Sequence, residues 1–157
     1  MNKVHRDFIE YNGINTDSNT TLKNFNQLHV NYNLRISDEK TDIQTINKVW
    51  VNSHIDYQEV IKTPIGKSLH GHISTGYKLL VTGEIDVKIE YYSGGYVEVL
   101  HTAQGSFPFC NYITLPLNFD TSSMIQPSSY IEDMFSEVLN NRTIYNSISL
   151  ILSADLG

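Results

Sequence analysis

Between residues 79 and 91 the chain reads Leu79-Leu80-Val81-Thr82-Gly83-Glu84-Ile85-Asp86-Val87-Lys88-Ile89-Glu90-Tyr91. The odd positions are apolar or glycine, and from Thr82 onward the even positions are polar or charged. Alternate side chains of a strand point to opposite faces, so this segment has one face in a core and one in water. A strand covered on both sides would not carry the charged face, which makes the sheet antiparallel.

The same alternation predicts further strands. Val30, Tyr32, Leu34 and Ile36 alternate with Asn31, Asn33 and Arg35. Residues 37–42 break the pattern, and Thr41 or Asp42 is placed to cap a short helical turn carrying Ile43 and Ile46. Val49, Val51, Ile55 and Tyr57 mark a longer strand. Pro64-Ile65-Gly66-Lys67 reads as a turn, with a third strand over residues 68–75. Ser93-Gly94-Gly95 reads as a hairpin turn from which Val97, Val99, His101 and Ala103 return on one face. Pro108, which cannot donate to a ladder, belongs at an edge or bend. Residues 117–129 read as a loop and residues 143–152 as the last strand. Over 130–139 the spacing of Ile131, Phe135, Val138 and Leu139 favours a helix. The fold class expected is all-β, mainly an antiparallel β-sandwich, with at most one or two short helical turns.

Residues 1–27 differ from the rest. A turn-rich polar stretch over residues 12–21 follows a small apolar cluster of Val4, Phe8, Ile9 and Tyr11. This predicts two parts: a flexible N-terminal arm over 1–27 and a β domain over 28–157. The four apolar residues of the arm are the candidate interaction residues.

Composition narrows the function. The chain has 157 residues and a net charge of -6, with only 18% charged residues. It lacks the lysine and arginine stripe that a nucleic-acid binder needs, so no nucleic-acid partner is expected. Nor is there an apolar run of the roughly 18 residues that a membrane span requires. The polar N-terminus lacks a secretory leader's apolar core, so synthesis in a cytoplasm is expected. Low charge weakens the repulsion between copies, which suits a protein that packs against itself. The single cysteine, Cys110, sits in an aromatic run and is expected to be a buried, inert thiol.

No residue set specifies catalysis. His70-Gly71-His72 places two imidazoles on one face of the expected strand, but a metal needs a third ligand, and no metal or cofactor is expected. Glu132-Asp133 on a strand would point to opposite faces and could not converge as an acid–base pair. The ten tyrosines fit packing between strands.

The ordered series of segments resembles the SPOCS domain family of SipL-like clostridial spore coat morphogenetic proteins. The residues that carry the resemblance are Thr41-Asp42-Ile43-Gln44-Thr45-Ile46, the run over 75–91, His101-Thr102-Ala103 with Phe107-Pro108-Phe109, Tyr130-Ile131-Glu132-Asp133 and the final strand. It covers the chain from about residue 25 onward. Thr41 stands where the family usually has proline, and no LysM-like segment follows, so a stand-alone domain is expected. The resemblance implies a β-rich fold with a strand, not a helix, over 130–139. It also implies a non-enzymatic structural protein of the endospore surface, in the coat, exosporium or an appendage. Its partners would be itself and other spore-envelope proteins. It would be made in the mother-cell cytoplasm and deposited on the spore. The alternative expectation is a carbohydrate-binding module of the spore or cell wall.

Overall fold

A computed structural model describes residues 2–17 and 22–157 of the chain. The described residues form eight strands and no helix: β1 (Lys3–Arg6), β2 (Ile9–Asn12), β3 (Phe25–Arg35), β4 (Ile43–Lys67), β5 (Ile73–Ser93), β6 (Leu100–Thr114), β7 (Gln126–Asn140) and β8 (Thr143–Asp155). They build two sheets, a five-stranded one in the order β1-β2-β4-β5-β6 and a three-stranded one in the order β3-β8-β7. Every pairing is antiparallel except β2 with β4, which is parallel. The all-β expectation holds, and the two sheets are those of a β-sandwich.

The alternation over 79–91 sets the core. Leu79, Val81, Ile85, Val87, Ile89 and Tyr91 are all buried on the inner face of β5. Ile144, Ile148, Leu150 and Leu152 of β8 supply the core face of the smaller sheet. Burying each such side chain contributes roughly 1.5–3 kcal/mol, and a register slip of one residue would forfeit it along the whole strand.

Two segments with helix-like spacing are strands, for one shared reason. Ile43, Ile46 and Val49 lie three residues apart because β4 has register shifts against β5 between Ile43 and Thr45 and between Ile46 and Lys48. Ile131 and Met134 are likewise three apart, across a shift between Ile131 and Asp133 in β7. Each bulge inserts one residue and re-phases the buried positions from two to three, which imitates a helical spacing. The strand over 130–139 agrees with the resemblance and not with the spacing.

Turns also differ from expectation. Pro64 does not turn the chain; β4 runs past it through a register shift between Lys62 and Ile65. The reversal comes at residues 68–72, where Gly71 has φ +83 and the Gly71 and His72 amides bond back to Ser68. The connection after β5 spans residues 94–99, so Val97 and Val99 lie exposed in it and outside β6. β7 begins at Gln126, within the expected loop.

The N-terminal segment is not a free arm. β1 and β2 form a hairpin at the edge of the larger sheet, and β3 starts at Phe25, inside the expected arm. Ile9, Tyr11 and Ile14 are buried in the common core. Asn15 donates its amide to the Ile131 carbonyl at 2.8 Å, which carries the chain across to the smaller sheet. The apolar cluster was dense enough to occupy a core position and did so. Of the expected polar link, residues 18–21 lie outside the described residues.

Candidate functional site

The strands differ greatly in length, and this shapes the surface. β4 has 25 residues and β5 has 21, whereas β6 leaves off at Thr114, opposite Lys78. β2 pairs β4 only over Lys48, Val49 and Trp50. The far ends of β4 and β5, from Lys62 opposite Tyr77 to Lys67 opposite Ile73, are therefore a two-stranded ribbon that runs beyond both neighbours. Isolated two-stranded ribbons are marginal in water unless something packs on them. This one exposes Ile65, Leu69 and Ile73, with Leu69 fully outside at the turn.

The ribbon's edges are unequal. Lys62, Lys67 and the irregularity around Pro64 guard the β4 side, as charges and bulges commonly do on free strands. On the β5 side Leu115 covers Tyr77: its amide bonds the Tyr77 carbonyl at 3.1 Å and its carbonyl accepts from the Thr75 hydroxyl. Among the described residues, no strand neighbours 73–76 on that side.

β6, the other edge of the larger sheet, is partly closed by side chains. The carbonyls of Thr102, Pro108 and Tyr112 accept from Lys40 Nζ, the Tyr32 hydroxyl and Asn26 Nδ2. These carbonyls mark the positions that face away from β5. Pro108 is one of them, so its missing N–H removes no ladder bond, as the edge expectation required. Tyr32 also stacks on Phe107, with ring centroids 4.2 Å apart. Cys110 is exposed on this strand and not buried, because the inward positions of the aromatic run go to Phe109 and Ile113.

The outer face of the larger sheet carries two polar features. The first is a groove of about 610 Å³ across β2, β4, β5 and β6. Its floor passes over Val51, Val87 and Gly105, which pair across the three strands. One wall has Trp50, Lys88 and Gln104; the other has Asn52, Asp86 and Ser106. Lys88 Nζ lies 5.3 Å from the Trp50 ring centroid, a cation–π distance. The second feature is centred on His54. Its Nε2 lies 3.1 Å from Asp56 Oδ1 and 3.8 Å from Glu84 Oε2, and its Nδ1 lies 3.3 Å from Asp86 Oδ2.

The residues singled out in the sequence are dispersed. Of the four expected contact residues, Ile9 and Tyr11 are buried and Val4 is half-buried, so the core uses them. Phe8 is fully exposed in the two-residue turn between β1 and β2, with φ 67. His70 and His72 lie exposed in the β4–β5 turn and not on a strand face. The bulge after Ile131 leaves Glu132 and Asp133 both exposed: Glu132 accepts from Gln27 and Ser149, and Asp133 pairs with Arg6 Nη2 at 3.0 Å. Sequence reading missed the ribbon and the His54 cluster. The signal for the ribbon was Ile65, Leu69 and Ile73, spaced by polar residues and glycines around a turn. The cluster had no signal until register placed His54 opposite Glu84.

The family model described as "SipL, SPOCS domain" matches residues 42–139, more than half of the chain. The matched span runs from the connection before β4 almost to the end of β7, so it contains the ribbon, the His54 cluster and the groove except for its Asn12 and Gly13 side. No curated protein and no solved structure matches the chain.

Proposed function

Since the chain belongs to the SPOCS domain family, a family tied to sporulation and the spore coat, we propose that it is a non-enzymatic structural protein of the endospore surface. It acts by self-assembly and protein–protein contact in the coat, exosporium or an appendage. It is made in the mother-cell cytoplasm and deposited on the spore. The observation that supports this reading is the overhanging β4–β5 ribbon with Ile65, Leu69 and Ile73 in solvent. Such residues gain by burial against a partner, and residues 73–76 offer backbone groups for an added strand. The partner is a second copy of the chain, followed by other envelope proteins. Phe8 is a further contact residue.

Light scattering and electron microscopy at rising concentration test this. The intact chain should form oligomers, sheets or filaments, and the triple variant Ile65→Asn, Leu69→Ser, Ile73→Asn should remain a monomer. An intact chain that is monomeric at every concentration would overturn the reading.

A carbohydrate-binding module is the second reading, favoured by the groove. Trp50 beside Asn52, Asp86 and Gln104 joins an aromatic ring to amide and carboxylate groups, a combination suited to a sugar ring and its hydroxyls. Titration with spore cortex polysaccharide, followed by Trp50 emission, decides it. A saturable change supports this reading and a flat titration removes it.

A further inference from the structure

We propose that His54, Asp56 and Glu84 form a divalent-metal site on the outer face of the larger sheet, suited to ions such as Zn²⁺ that accept imidazole nitrogen with carboxylate oxygen. The proposal does not depend on the assembly role. Its basis is a mixed donor set centred on an imidazole. His54 and Glu84 are direct cross-strand partners on β4 and β5, which fixes them side by side. Asp56 is the extra residue at the register shift between Ile55 and Tyr57. It has no cross-strand partner of its own, and bulges characteristically re-aim such a side chain. One donor atom from each of the three residues lies within 4.8 Å of the others.

Spacing fits a common ion. Neighbouring donors about 2.0–2.2 Å from a tetrahedral zinc lie roughly 3.3 Å apart. The two separations from His54 Nε2 are 3.1 and 3.8 Å, so small side-chain rotations close the set.

The imidazole is held from behind. Asp86 Oδ2 lies 3.3 Å from His54 Nδ1, and Asp86 is itself held by the Ser106 hydroxyl. A carboxylate on the far nitrogen is the usual device that fixes a metal-binding histidine and leaves its other nitrogen as the ligand. Nε2, the ring nitrogen on the other side from Asp86, faces the Asp56 and Glu84 carboxylates and is the ligand atom of the set.

Charge elsewhere on the molecule is arranged differently. Asp133 pairs with Arg6, and Asp42 with Arg142. Among the described residues, the salt bridges of Asp56, Glu84 and Asp86 all go to His54, and no lysine or arginine lies within 4.0 Å. A divalent ion supplies the charge that an arginine supplies at the other sites.

Calorimetric titration of the full chain with ZnCl₂, and absorption spectroscopy with CoCl₂, test the site. One ion should bind per chain. His54→Ala and Glu84→Gln should each weaken binding at least tenfold, and Asp86→Asn should have a smaller effect. The double variant His70→Ala, His72→Ala should bind as the parent does. Thermal melts establish that each variant is folded; if His54→Ala does not fold, Glu84→Gln decides. Absence of saturable binding, unchanged affinity in the Glu84→Gln variant, or loss confined to the His70/His72 variant would each overturn the proposal.

Discussion

The Tyr11 hydroxyl accepts a hydrogen bond from the Ser136 amide at 2.9 Å, across a separation of 125 residues. It joins β2 at the margin of the larger sheet to β7 of the smaller one. Ser136 Oγ in turn donates to Asn146 Oδ1 at 2.7 Å, and both residues are buried. The N-terminal hairpin is therefore tied into the fold by a closed polar network inside an apolar core. Tyr11→Phe leaves the Ser136 amide without its partner and should destabilise the domain by about 1–3 kcal/mol. Tyr11→Ala also removes the ring and should cost about 3–5 kcal/mol. Urea denaturation measures both, and equal midpoints for parent and variants would return the segment to the status of a loose arm.

Phe8 is strained where Tyr11 is at ease. It occupies the second central position of a turn in which Asp7 and Phe8 both have positive φ, 50 and 67. Such turns favour glycine, and a bulky side chain there is held against its preference. Its ring is fully exposed, so it gains no burial in return. Phe8→Gly should therefore raise stability by up to about 1 kcal/mol. A fall in stability would mean that the ring packs within the chain. If Phe8 is a contact residue, the stabilised variant should also assemble more weakly.

Gly83 allows β4 to approach β5 at the bulge beside the His54 cluster. A Cβ there would lie 2.0 Å from the His54 carbonyl oxygen and 2.7 Å from Phe109 Cζ. Backbone cannot yield as a flexible side chain can, so Gly83→Ala should cost at least about 1–3 kcal/mol through strain. It should also disturb zinc binding through the displaced His54 backbone. A melting temperature within a degree of the parent's would show that the strands are not this close.

Cys110 should react with a thiol reagent such as DTNB in the native protein. It is exposed on an edge strand. One equivalent should be labelled without denaturant, whereas a thiol that reacts only after unfolding would place it in the core.

Stability should fall at alkaline pH. Burial is the largest cause raising the phenol pKa of Tyr11, Tyr32, Tyr91 and Tyr130 above the usual 10.0. The folded chain keeps these protons at a pH where the unfolded chain releases them. Their contribution is thus intact below about pH 10 and is lost as pH rises through the folded-state values. Denaturation midpoints at pH 8 and pH 11 should differ, and by less in Tyr11→Phe. Identical midpoints would refute the assignment.

Strand alternation over 79–91 was legible from sequence because side-chain polarity there answers only to the inside and outside of one sheet. Proline at an edge position was legible for a similarly local reason, the missing donor of Pro108. Bulges were not. Ile43, Ile46, Ile131 and Met134 show a spacing that a helix also produces, and only the partner strand reveals an inserted residue. The fate of the N-terminal cluster was equally hidden, since Tyr11 needs Ser136 to complete it.

By itself the sequence determined the class of fold, the inner face of β5 and the family, because each is written in the order of neighbouring residues. Tertiary structure decided which apolar residues stay in solvent at Ile65, Leu69 and Ile73, and which polar ones meet around His54. Both outcomes depend on strand lengths and register, and those are set by hydrogen bonds between segments far apart in the chain.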